Sequence, residues 1–217
     1  DCKTPMENTQ PKPLRFIAQF ISYVFHPLFI PTFFFVFLMI ELPYKFEGIT
    51  DWQLKLRLFS VFWLTAFFPA FAVFLLWRLK FSESIFLRTQ KERIIPYVIT
   101  MFFYWWMYYL SRNFKDQPID LKFFYFGIFI ATSLGLIVNN FMKVSLHAIG
   151  ISGLLMATLL VSIHYPAVNL IWFISTVFLS AMVVAARMIV SDHTQKELLV
   201  GFGIGLITQL IAYFWVL

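Results

Sequence analysis

The stretch His147-AIGISGLLMATLLVSIHYPAVNLIWFISTVFLSAMVVA-Ala186 decides the fold, because its 40 residues contain no Asp, Glu, Lys or Arg. One helix crosses a bilayer with about 20 apolar residues, so this run is long enough for two. His164-Tyr165-Pro166 breaks it in the middle, and a proline pushes the residue before it out of the helical region. The run reads as two helices joined by a tight hairpin.

Working outward, the same criterion finds further uncharged apolar runs. With the split pair they make seven: Phe16–Ile40, Leu58–Trp77, Ile94–Leu110, Phe123–Met142, His147–Ile163, Asn169–Ala186 and Leu198–Leu217. None alternates as barrel strands do, and open strands cannot cross lipid. The prediction is an all-α, polytopic membrane bundle of six or seven transmembrane helices. The first run is interrupted by His26-Pro27 and Pro31, which suggests a short interfacial helix followed by a kinked span.

Composition agrees. Of the 217 residues, 60% are hydrophobic and only 13% charged, against about a quarter charged in soluble domains. A wettable surface cannot be made from half that supply. An aromatic content of 21% equally excludes disorder. A lone Cys2 excludes a disulfide framework and a multi-cysteine metal cluster. Asp1 is no translational start and Met6 could be one, so residues 1–5 read as an expression remnant within a polar N-terminal segment, 1–15. Residues 16–217 read as one membrane domain, without a signal peptide and expected in a bacterial inner membrane. The net charge of +6 sits in short loops, where lipid phosphate is a more natural partner than nucleic acid.

Three polar segments stand out between the runs: Arg88-TQKERII-Pro96, Lys143-VSL-His147 and Arg187-MIVSDHTQK-Glu197. An even number of crossings separates each from the next, so all three should meet at one membrane face. Single basic residues there are ordinarily interfacial anchors, and His26 and His164 have no charged companion nearby. His193 and Glu197 differ. Their i,i+4 spacing puts both on one helical face, where a carboxylate can accept the Nδ1–H, fix the tautomer and sharpen Nε2 as a nucleophile. Asp192 is a candidate cap for the last helix. Gly201, Gly203 and Gly205 lie inside an apolar run and read as close helix contacts. Tyr104, Trp105, Trp106, Tyr108 and Tyr109 read as an aromatic belt.

The third segment resembles the last signature of the type 2 phosphatidic acid phosphatase superfamily, S-R-x5-H-x3-D. Arg187, His193 and Glu197 keep its spacing, with Ala186 for Ser and Glu for Asp. Val144-Ser145-Leu146-His147 resembles the second signature, P-S-G-H. For the first, K-x6-R-P, Arg93 can supply the arginine. Phe86 stands at the lysine position, so Arg88 or Lys91 must substitute, and Pro96 comes three residues on. The resemblance implies a metal-independent lipid phosphatase with no cofactor. His193 would attack phosphorus, Glu197 would orient it, and His147 would protonate the leaving alcohol. Arg187, Arg93, Lys91 and Ser145 would hold the phosphoryl oxygens. Two alternatives stand beside it: a two-histidine, one-carboxylate metal site from His147, His193 and Glu197, and a non-catalytic bundle that binds anionic lipid or transports a small solute.

Overall fold

The computed structural model of the protein describes residues 11–81, 90–190 and 193–217. Those residues form helices α1 (Lys12–Val24), α2 (Ile30–Glu41), α3 (Asp51–Phe62), α4 (Phe68–Arg78), α5 (Gln90–Asn113), α6 (Ile119–Asn139), α7 (Leu146–His164), α8 (Leu170–Val190) and α9 (Gln195–Val216), with no strand among them. Six stretches are long and apolar enough to cross a membrane: α1 with α2, α3 with α4, and α6 to α9 singly. The chain is an all-α integral membrane protein.

Local sequence explains the joints. His26 takes an extended conformation before Pro27, α1 stops, and a 3-10 turn over Pro27–Phe29 leads into α2. Between α3 and α4 the helix widens to a π turn over Trp63–Phe67. Pro69 has no N–H to give the Thr65 carbonyl, and a wider turn absorbs the missing bond. Thr50 with Gln53 and Thr194 with Glu197 form capping boxes that start α3 and α9. The expected hairpin is present, with α7 ending at His164 and α8 beginning at Leu170. The fourth apolar run is shifted. Its helix starts at Ile119 and stops at Asn139, where the N–H groups of Asn140, Phe141 and Met142 bond the Ile137 and Val138 carbonyls in a closing turn.

Helix α5 makes a seventh end-to-end pass. Its 24 residues span about 36 Å. At one end the side chains of Gln90 and Asn139 each donate to the other's backbone carbonyl, both at 3.1 Å. At the other, Arg57 of α3 meets Asp116 and Gln117, just beyond α5. The helix is less hydrophobic than its neighbours because aromatic and polar residues crowd it, which is why it falls outside the six.

Helix α7 lies at the centre, against α6, α8 and α9. Small residues permit this. A Cβ on Gly201 would come 2.9 Å from the Ser145 carbonyl, and one on Gly205 would overlap Ser152 and the Ile149 carbonyl. Gly203 faces open space, so two of the three glycines are needed for contact. Beside α7, Phe34 and Phe35 of α2 are wholly buried, and Phe34 stacks on Phe124 at 4.1 Å. Large apolar side chains such as Phe178, Phe214 and Trp215 face outward, as a lipid-facing surface requires.

Candidate active site

The three polar segments do meet at one end. Arg93, in the first turn of α5, donates through Nη1 to the Val144 carbonyl at 3.3 Å, tying the first segment to the second. The close approach of Gly201 to Ser145 ties the second to the start of α9, and His193 immediately precedes that helix. Arg88 and Asp192 lie outside the described residues.

His193 and Glu197 do pair, but not on one helical face: His193 lies before the Thr194 cap of α9, and the capping box turns Glu197 back toward it. Nδ1 of His193 lies 2.8 Å from Glu197 Oε2, and the same oxygen accepts from the Thr194 N–H at 3.3 Å. A carboxylate facing Nδ1 keeps the proton there and leaves Nε2 with a lone pair. The pair is mostly sheltered, with 7% and 15% of the two side chains exposed. Burial holds His193 below the ordinary histidine value. The bond to Glu197 draws it back up, and the charges of Arg93 and Arg187 push it down again. Its neutral, nucleophilic form is therefore the form present near pH 7.

Arg187 sits in the last turn of α8. Its charge acts on His26, His147 and His193, and it lies near Arg93 and Tyr23. Two guanidinium charges thus act on one imidazole, an arrangement that suits a multiply charged anion.

The other expected residues divide. His147 opens α7, with Nε2 3.0 Å from the Ser22 carbonyl. A carbonyl only accepts, so Nε2 carries the hydrogen and Nδ1 is the basic nitrogen. Ser145 is fully buried, and its hydroxyl accepts from the Ala148 N–H as the cap of α7. Lys91 is exposed. At two residues from Arg93 it stands about 200° around the helix, on the far side from Arg93. Among the described residues no three His, Cys, Asp or Glu side chains gather as a metal site, so His147, His193 and Glu197 do not form the ligand set considered above.

Composition and spacing missed His26 and Ser22. The His26 ring stands edge-on to His147 with centroids 5.1 Å apart, while its Nδ1 accepts from the Leu28 N–H at 3.4 Å. The break at His26-Pro27 makes this possible. In a continuing helix the His26 N–H would bond the Ser22 carbonyl, but here it turns to Tyr23 and releases that carbonyl to His147. A His-Pro pair within an apolar run was the available signal. Tyr104 also departs from expectation. It points inward and is buried, whereas Trp105, Trp106 and Tyr109 face outward as a belt should.

Compared with known proteins, the chain matches no family model, no curated protein and no solved structure.

Proposed function

We propose that the protein hydrolyses a lipid phosphate, a phosphomonoester or a diphosphate, without a metal ion and through a phosphohistidine on His193. The observation that carries this reading is the Glu197 carboxylate on Nδ1 of His193 with Arg93 and Arg187 acting on the same ring. In the first step Nε2 attacks phosphorus and the bond from phosphorus to the lipid oxygen breaks. The departing oxygen takes a proton from Nδ1 of His147, a buried ring that takes up this proton from the monoanionic lipid phosphate as it binds, with Nε2–H held by Ser22. In the second step neutral His147 takes a proton from water, the hydroxide attacks phosphorus, and the bond from phosphorus to Nε2 breaks to release inorganic phosphate. Arg93 and Arg187 lower both barriers by neutralising charge that spreads over the phosphoryl oxygens. Lys91, facing away, contributes to attraction at the membrane surface more than to the grip. Ser145 contributes by fixing the start of α7.

The test is phosphate release by detergent-purified protein in EDTA, across phosphatidic acid, phosphatidylglycerol phosphate and a polyprenyl diphosphate. Release by wild type and none by His193→Ala supports the reading. Activity lost in EDTA and restored by Zn²⁺ would overturn the metal-independent chemistry, and binding without release from any lipid would identify a non-catalytic lipid-binding bundle.

A further inference from the structure

Directly beneath the site a cavity of about 270 Å³ runs down inside the bundle. Its upper wall includes His26, Pro96 and Leu146, and its lower wall Tyr104, Gly153 and Gln209. Leu146 and Gly153 are seven residues apart on α7, so the cavity descends about 10 Å into the membrane-spanning part. His26 belongs to both regions, since its ring lies against His147. The lining is mainly apolar. The volume lies just below the range of about 300–1,000 Å³ usual for small-molecule pockets, room for part of one chain and not for a whole lipid. Walls built from membrane-spanning helices make the bilayer's own molecules the ligands within reach.

One lining group sets the chemistry of that chain. Tyr97 is 2% exposed, and its hydroxyl has no hydrogen-bond partner among the described residues. Buried hydroxyls are ordinarily paired. Tyr97 follows Arg93 by four residues, which places it on the same face of α5 and about 6 Å deeper. In an acylated glycerol phosphate, an ester carbonyl follows the phosphate at a comparable depth, separated from it by the glycerol carbons. A phenol donates and an ester carbonyl accepts. An isoprenoid chain offers no acceptor there. Gln209 Oε1 also lacks a partner, but a Cβ on Gly127 would overlap that side chain, so its amide is wedged between helices and gives no reading of the chain.

We propose that the cavity seats the upper part of one acyl chain of the lipid whose phosphate lies against His193, with the Tyr97 hydroxyl donating to that chain's ester carbonyl. The substrate is then an ester-linked glycerolipid phosphate and not an isoprenoid diphosphate. This assignment rests on the lipid phosphatase reading above.

The experiment compares dioleoyl phosphatidic acid, its dialkyl ether analogue and farnesyl diphosphate on wild type, Tyr97→Phe and Gly135→Ala. A Cβ on Gly135 would come 3.0 Å from Tyr97 Cε1, so that second variant displaces the ring without removing its hydroxyl. Wild type should favour ester over ether by at least about tenfold in kcat/KM, the weight of one buried hydroxyl left unpaired. Tyr97→Phe should lower the ester rate by that factor and leave the ether rate unchanged, and Gly135→Ala should also narrow the gap. Thermal shifts with the same ligands read binding without turnover. An ester-specific rise in Tm that Tyr97→Phe loses, with no hydrolysis of any lipid, would uphold the pocket and overturn the phosphatase. Equal rates and equal shifts for ester and ether in wild type, an ester preference that survives Tyr97→Phe, or a preference for farnesyl diphosphate would each overturn the pocket assignment.

Discussion

The two ends of the bundle use their charges differently. At the end away from the site, cations meet carboxylates. Lys45 lies 3.9 Å from buried Asp120 and donates to Tyr165 at 2.7 Å, and Tyr165 in turn donates to Asp120. Arg57 pairs with Asp116. Glu41 accepts from the Trp172 indole at 2.6 Å and from the Asn169 N–H at 2.9 Å. Each of these contacts joins one loop or helix end to another. At the site end, Arg93 and His147 spend hydrogen bonds on backbone carbonyls, and the charges of Arg93 and Arg187 act on each other and on His193. Matched pairs make clasps. Two arginines acting on one imidazole make a place for an anion.

Substitutions at the two ends should therefore separate activity from stability. His193→Ala should have the largest effect, reducing phosphate release to background with Tm nearly unchanged, as read by the lipid assay and a thermal melt of the same sample. Arg187→Lys should come next. A point charge does not reproduce a planar fork that holds two oxygens, and a fall in kcat/KM of about a hundredfold is expected, or roughly 2.7 kcal/mol. Asp120→Ala should do the reverse, since it leaves the half-buried Lys45 without its carboxylate. A loss of about 2 kcal/mol is expected in the melt, with kcat per folded molecule retained. Asp116→Asn should matter least, at no more than about 0.5 kcal/mol, because the Asp116 carboxylate is half exposed.

The acid limb of the rate sharpens the same contrast. His193 acts as the neutral nucleophile, and burial holds its folded value below the ordinary histidine value of 6.5. Activity should then persist as pH falls through 6.5 and decline only below it, where the imidazole takes a proton on Nε2. Asp116 is held low by Arg57, so its small contribution to stability should persist above the ordinary aspartate range and disappear only below it. A kcat/KM profile whose acid limb lies above 6.5 would remove His193 as the neutral nucleophile.

Much of this was legible in the sequence. Runs without charge fixed the helices, because lipid leaves a backbone no other way to satisfy its polar groups. The spacing of His193 and Glu197 was enough to expect their bond, although the contact forms outside the helix: His193 precedes the Thr194 cap, and the capping box turns the Glu197 carboxylate back onto it. Convergence of the three segments followed from counting crossings. What stayed hidden depended on rotation and on breaks. Lys91 and Arg93 look equivalent as neighbours in a basic segment, but only one can face the site. His26 looks isolated in its own run, and its contact with His147 exists because Pro27 ends α1. Ser145 looks like a phosphate ligand, whereas the start of α7 takes its hydroxyl as a cap.

The most direct measurement is chemical trapping of the intermediate. Purified protein would be given phosphatidic acid carrying ³²P in its phosphate, quenched in base, where phosphohistidine survives, and digested for peptide mapping. The expected result is label on the peptide containing His193 in the wild type, lost on acid treatment and missing from His193→Ala. Phosphate release without any labelled histidine, or label that persists in His193→Ala, would contradict the central claim.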